Sequence, residues 1–295
     1  MDLYSFNHDI VIRFASYLHS KDIVSLSLTC RRFGIAQQEH EEGLDNNRLS
    51  LMEYAARYIV NNYKTDEERN VLPITTEEQS SWIQLYTELE QYRSPRKFNQ
   101  LIGRAISDPI CCINNDKSRI KLLGNKKKSN TAICNHVMRA GKHYATFTKE
   151  GLGVIRIGII RPLNSNWDDR GLTSFDPLTN INYWTELQEE RTDKWGDGNI
   201  HYCSVMFGEG VGGCHYSDWV TEHPLFNEWD GSEGFENNDK VGLLLDLDAG
   251  TLTVYKNGRR LGILKDGLSG EYCWVAVMWT HGVGVKIEKG CIPTR

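Results

Sequence analysis

The stretch from Asp239 to Gly262 reads DKVGLLLDLDAGTLTVYKNGRRLG, and no other part of the chain restricts the fold so tightly. Val241, Leu243, Leu245 and Leu247 alternate with Gly242, Leu244, Asp246 and Asp248, the two-residue period of a strand. Asp248-Ala249-Gly250 supplies a turn in which Gly250 is free to take positive φ. Leu252 and Val254 then alternate with Thr251, Thr253 and Tyr255. Asn257-Gly258 suits a type I′ hairpin turn, which needs positive φ at both central residues. Arg259 to Leu264 returns as a third strand. The spacing predicts an antiparallel meander, most of it buried.

Other strand patterns flank it. Gly141 to Phe147 and Val154 to Ile159 form an early pair, and Tyr272 to Trp279 and Gly284 to Ile287 a late one. Along His201 to Phe207 the alternation places Cys203 towards the core beside Val205 and Phe207. Together these residues resemble SPRY domains. The D-x-V-G-x-x-L-D-x-D-x-G-T-L-x-x-x-x-N-G-x-x-L-G run is similar to that family's signature, and YCWVAVMW followed by GVKI to its last two strands. The likeness covers roughly residues 104 to 291. It implies a bent, concanavalin-like antiparallel β-sandwich whose loops hold peptide segments of partner proteins, without catalysis.

Before residue 104 the period is helical. Ile10, Phe14, Tyr17 and Leu18 fall on one helix face. Ser20 suits the start of a second helix, along which Ile23, Leu26, Cys30 and Phe33 continue the stripe to Gly34. The run IVIRFASYLHSKDIVSLSLTCRRFG resembles an F-box, with Phe6-Asn7 where Leu-Pro is usual. That resemblance implies docking on a Skp-type adaptor of a cullin-based ubiquitin ligase, through Ile10, Phe14, Leu18, Ile23 and Leu26. The alternative is a helical cap on the sandwich.

Asn47 to Lys64 reads as a longer amphipathic helix with capping-box spacing between Ser50 and Glu53. Thr65 to Pro73 reads as a polar connector. Another helix is expected from near Thr76, with Trp82, Leu85, Leu89 and Tyr92 down one side and Ser94-Pro95 at its end. The domain boundary is expected near Lys97 to Gly103, dividing residues 1–103 from 104–295. The fold class is α+β: an F-box-like helical region, then a SPRY sandwich.

Composition narrows the function further. A formal net charge of −5 offers no general attraction to nucleic acid. No apolar run approaches the length of a membrane span, and the first residues lack a basic-then-apolar leader. Eight scattered cysteines, with no N-x-[ST] sequon, read as reduced thiols of a cytoplasmic protein. Lys126-Lys127-Lys128 fits a solvated hairpin tip better than a nuclear signal, which keeps the nucleus as the second compartment.

Chemistry-bearing motifs are sparse. Gly208 to Gly213 lacks the Lys-Ser/Thr of a phosphate loop, as does Arg139-Ala140-Gly141-Lys142-His143. Cys203, Cys214, His201 and His215 are the densest ligand group, but no C-x-x-C accompanies them. No metal, cofactor or catalytic residue is assigned. A glycoside-cleaving or carbohydrate-binding sandwich is the remote alternative, with Asp168, Asp169, Glu209 and Asp246 as its carboxylates.

The segment from Leu163 to Asp239 departs most from the family pattern. It carries sixteen acidic and three basic residues, a formal charge of −13, which leaves +8 on the rest of the chain. It also holds five of the eight tryptophans. Acids and aromatics together on loops suit a basic or Arg-rich peptide. The resemblance places peptide binding at Met278, Trp279, Thr280, His281 and Gly282, and Trp167 and Trp219 of the insert are expected beside them. Val275 and Val277 are expected to point inward, carrying Trp279 to a rim where Gly282 and Gly284 allow close backbone approach.

Overall fold

The computed structural model describes residues 8–35, 49–72, 81–103, 110–123, 128–208, 213–221, 225–227, 229–279 and 282–293. Phe6-Asn7, Thr76 to Gln79, Glu209, Thr280 and His281 therefore lie outside the described residues. The chain divides into two compact units, Met1–Ser94 and Pro95–Arg295. The expected boundary lay near Lys97 to Gly103; Phe98–Ile102 is a strand and belongs to the second unit.

The first unit is helical: α1 (His8–Ala15), α2 (Ser20–Ser27), α3 (Arg31–Gly34), α4 (Leu51–Tyr63), α5 (Asp66–Val71) and α6 (Trp82–Arg93). Its core gathers Val11 and Ala15 of α1, Ile23 of α2 and Phe33 of α3 with Met52, Ala56, Ile59, Leu85 and Leu89. Ser50 caps α4 by accepting the Glu53 N–H at 3.3 Å. The Glu53 carboxylate does not return to Ser50. It accepts from the Ser81 hydroxyl at 2.5 Å and the Trp82 N–H at 2.6 Å, placing negative charge on the positive end of α6. Glu90 does the same for α2, accepting the Ser20 N–H at 2.8 Å, so Ser20 is the first helical residue rather than the cap. The expected connector after Thr65 contains α5, started by a capping box between Thr65 and Glu68. Glu68 also meets Arg93 at 2.7 Å, and that guanidinium holds its carboxyl down at about 2.

Among its described residues, the second unit has two seven-stranded antiparallel sheets. Sheet one runs β1 (Phe98–Ile102), β4 (Asn130–Met138), β13 (Tyr272–Met278), β6 (Ile155–Ile160), β7 (Tyr202–Phe207), β8 (Cys214–Ser217), β9 (Leu225–Asn227). Sheet two runs β12 (Arg259–Lys265), β11 (Thr251–Lys256), β10 (Lys240–Asp246), β5 (Lys142–Glu150), β14 (Gly284–Lys289), β3 (Asp116–Leu122), β2 (Ile110–Ile113). The meander is β10-β11-β12, with Leu243 opposite Val254 and Asn257-Gly258 at φ 52° and 84°. A Cβ on Gly242 would come within 2.0 Å of the Tyr144 hydroxyl, so this glycine lets β5's tyrosine lie flat over β10. Cys134, Cys203, Cys214 and Cys273 are free thiols.

Sheet one is covered on both faces, and this decides where the site lies. Trp274, Ala276 and Met278 of β13 face the space between the sheets, with Ile157, Cys203, Val205, Phe147 and Leu243. Cys273, Val275 and Val277 face away, into a second core with Ile133, Ile160 and Tyr202. The expected inward direction of Val275 and Val277 is therefore reversed. The cover on that face is the acidic insert, including α7 (Asn166–Asp169) and α8 (Trp184–Glu189), which contributes Trp167, Phe175, Trp184, Leu187, Trp195 and Trp219.

The insert is held by its tryptophans and by Arg161. The indole N–H groups of Trp184 and Trp219 both donate to the Pro177 carbonyl, at 3.2 and 3.0 Å. Burying an indole contributes roughly 4 kcal/mol in gross transfer free energy, more than display on a loop can. Arg161 is fully buried and donates to the carbonyls of Ser269, Glu271 and Gly198, with its guanidinium 4.1 Å from the centre of the Tyr272 ring. Burial pulls its pKa down to about 10.

Candidate functional site

Trp279 follows β13 directly and keeps the parity of Val275 and Val277, so it packs at the margin of the second core, half-buried. Beneath it lies Arg156 of β6, which stands opposite Val277 in the ladder. The Arg156 guanidinium carbon is 4.4 Å from the Trp279 ring centre and 5.9 Å from that of Tyr202. Arg156 is itself buried and pairs with the buried carboxylate of Asp176. Asp176 also accepts from the Leu178 N–H at 3.0 Å and the Thr179 hydroxyl at 2.9 Å. A buried charge is tolerated only when paired and hydrogen-bonded, and this one is both.

The backbone after Trp279 is tied to sheet two. The Gly282 N–H donates to the Leu122 carbonyl at 2.9 Å, and the Leu122 N–H to the Val283 carbonyl at 3.0 Å. Gly282 sits at φ 79°, with open space where a side chain would go. The close approaches are elsewhere. A Cβ on Gly151 would meet the Gly282 carbonyl at 2.6 Å, and one on Gly284 would meet the Ile120 carbonyl at 2.8 Å. Gly284 thus serves strand packing and leaves no special room for a ligand.

The expected peptide-binding residues divide sharply. Trp279 and Gly282 share the rim. Met278 is wholly inside the sandwich. Trp167 and Trp219 are 0% and 2% exposed in the second core, so neither presents a face to a ligand. The aromatic half of the insert signal was core, for the reason that both faces of sheet one need apolar cover. Among the remote carboxylates, Asp246 accepts its own turn's Ala249 N–H at 3.0 Å and lies 3.5 Å from Lys142, a structural arrangement. Among the described residues no three metal-ligating side chains converge, and no helix is long and apolar enough to cross a membrane.

Of the residues expected to meet an adaptor, Ile10 and Phe14 are 54% and 61% exposed. Leu18 and Leu26 are half-buried, and Ile23 is fully buried in the helical core. The exposed edge instead extends through Tyr17, Val24 and Leu28. Arg156 and Asp176 escaped the reading of the sequence. The signal for Arg156 was present: one charge inside the apolar run Val154-Ile155-Arg156-Ile157-Gly158-Ile159 must find a partner. Nothing local marks Asp176 as that partner.

No family model matches the chain, and no curated protein sequence matches it. Solved structures similar to it include the SPRY domain of human HERC1, at 14% identity, a TM-score of 0.40, and coverage of 64% of this chain and 98% of that one. The TRIM65 PSpry domain is 13% identical with a TM-score of 0.42, covering 69% of this chain and 98% of its own. A human SPRY domain is 13% identical with a TM-score of 0.33, covering 61% of this chain and 94% of its own.

Proposed function

We propose that this chain is a non-enzymatic recognition protein, its SPRY-like sandwich holding a partner segment at the Trp279 rim and its F-box-like helices docking on a Skp-type adaptor of a cullin-based ubiquitin ligase. The observation that carries the reading is the exposure of Ile10 and Phe14 on α1. The opposite side of that helix, Val11 and Ala15, already closes the core, so these two are not needed for folding. Large apolar side chains left at a surface mark an interface.

The test is capture of a purified Skp adaptor by the full chain, with Phe14→Glu as the comparison. The reading expects the wild type to bind and the variant to lose binding while melting normally. Equal capture of both, or of neither, leaves the second reading, a SPRY-like peptide-binding scaffold whose helices have no ligase role. That reading is favoured independently by Trp279, whose half-exposed ring rests on a fixed cation. In either case the partner segment is a protein or peptide of basic character, because Asp169, Glu189, Asp193 and Asp197 stand exposed on the insert.

A further inference from the structure

Of the fourteen large apolar side chains that the described structure leaves exposed, nine belong to the helical unit, which is under a third of the chain. Three of the nine, Ile10, Tyr54 and Tyr58, line a groove between two helices. Asp9, Ile10, Ile12 and Arg13 of α1 face Tyr54, Arg57 and Tyr58 of α4 across a space of about 690 Å³. Tyr54 and Tyr58 are 44% and 40% exposed, so both side chains remain open to solvent. The adaptor reading involves α1 and α2 alone and gives α4 no partner, although α4 forms half of this groove.

The polar groups in the groove give it a sign. Arg13 and Arg57 line it, and among the described residues neither meets a carboxylate. The Arg57 guanidinium is held 5.5 Å from the Trp82 ring centre, which fixes it without neutralising it. The lining carboxylate is Asp9 alone, so the arginines outnumber it. Asn62 is occupied within its own helix, donating to the Tyr58 carbonyl at 2.7 Å.

We infer that the groove between α1 and α4 is a docking site for an amphipathic segment of a partner protein, one carrying Asp or Glu beside its apolar side chains. The apolar side chains would lie between Ile10, Ile12 and the two tyrosine rings, and the carboxylates would meet the arginine forks, which suit planar anions. A second copy of this chain is the poorer occupant. A two-fold contact would set the same patch against itself and bring the arginines of the two copies together. The groove shares Ile10 with the adaptor reading and differs from it through Tyr54, Arg57 and Tyr58, which are not part of that face.

A random peptide library panned on the full chain tests it. Enriched peptides should show apolar residues at helical spacing with neighbouring Asp or Glu. Their affinity should fall about tenfold or more on Tyr58→Asp and on Arg57→Glu, and stay unchanged on Trp279→Ala. Both groove positions are solvent-accessible, and Tyr54→Ser with an unchanged melting curve guards against a folding artefact. The inference is overturned by no enrichment, by peptides without carboxylates, by undiminished affinity for the groove variants, or by loss on Trp279→Ala. A dimer of the free chain that dissociates on Tyr58→Asp would equally overturn it, by assigning the groove to self-association. Loss of adaptor capture on Phe14→Glu, with peptide binding intact, would show that the two surfaces are separate.

Discussion

The Trp279 ring lies over the guanidinium of Arg156, 4.4 Å from centroid to carbon, and Arg156 is locked in turn by Asp176. A half-buried aromatic at the end of a strand thus rests against a buried ion pair. Rigid aromatics lose little entropy on binding, which is why they recur at the centres of interfaces.

Trp279→Ala should lower stability by about 1–3 kcal/mol, less than the roughly 3–5 kcal/mol of a fully buried tryptophan, because the side chain is only partly buried. Partner binding should fall by about 2 kcal/mol or more. Urea denaturation and calorimetric titration measure the two losses separately. Undiminished binding by a folded variant would move the site elsewhere on the sandwich.

Asp176→Asn keeps the shape of the side chain but leaves the Arg156 charge buried without its counter-ion. A loss of about 3–5 kcal/mol is expected in chemical denaturation. Replacing both partners, Arg156→Met with Asp176→Leu, should cost markedly less, since no charge then remains to be solvated. If the single and double variants are equally unstable, the pair is not what fixes this part of the insert.

Acid should unfold the sandwich through its histidines. His143 donates from Nε2 to the Ala140 carbonyl at 2.8 Å, which makes its Nδ1 the acceptor for His136 Nε2–H at 3.2 Å. Burial pushes His143 down to about 4 and His136 well below its usual range, and burial also takes His201 to about 4. All three pKa values are lower in the folded chain, so the unfolded chain takes up protons first. Their contribution is complete above about pH 6.5 and is lost as pH falls towards 4, at up to about 1.4 kcal/mol per group per pH unit. A melting temperature that is flat from pH 7 to about 4.5 would contradict the neutral pair.

Ile23 and Phe14 should behave oppositely. Ile23 is wholly buried, so Ile23→Ala should cost about 2–4 kcal/mol of helical-unit stability. Phe14→Ala, at 61% exposure, should stay within about 0.5 kcal/mol. Circular dichroism melts of the two variants check this. A large loss for Phe14 would show that the residue is covered within the folded chain, leaving no free face for an adaptor.

Salt should weaken partner binding at the insert, whose formal charge is −13, because exposed charges are screened beyond roughly 8 Å at physiological ionic strength. Affinity measured across a salt series gives the slope. A flat series would point to an apolar contact, with the acids serving solubility.

Much of the sandwich was legible in the sequence, because its determinants are local. The two-residue period of Val241, Leu243 and Leu245 and the left-handed Asn257-Gly258 turn set strand, turn and register within one short stretch. The ends of the helices were less legible: Glu53 and Glu90 cap helices other than their own, and no spacing rule encodes that. At the candidate site, the position of Trp279 at the end of an apolar strand was legible, while the face to which that strand turns it was not. Alternation identifies an inner face only when the other face meets water. In β13 every residue from Tyr272 to Met278 is buried, so both faces read as apolar and the period loses its direction. Tertiary packing alone decided that Val275, Val277 and Trp279 face the insert. It also turned Trp167 and Trp219 from expected ligand contacts into core, and brought Asp176 to Arg156 across a loop. Burying an indole or pairing a desolvated charge releases free energy only when distant segments meet, which no local pattern records.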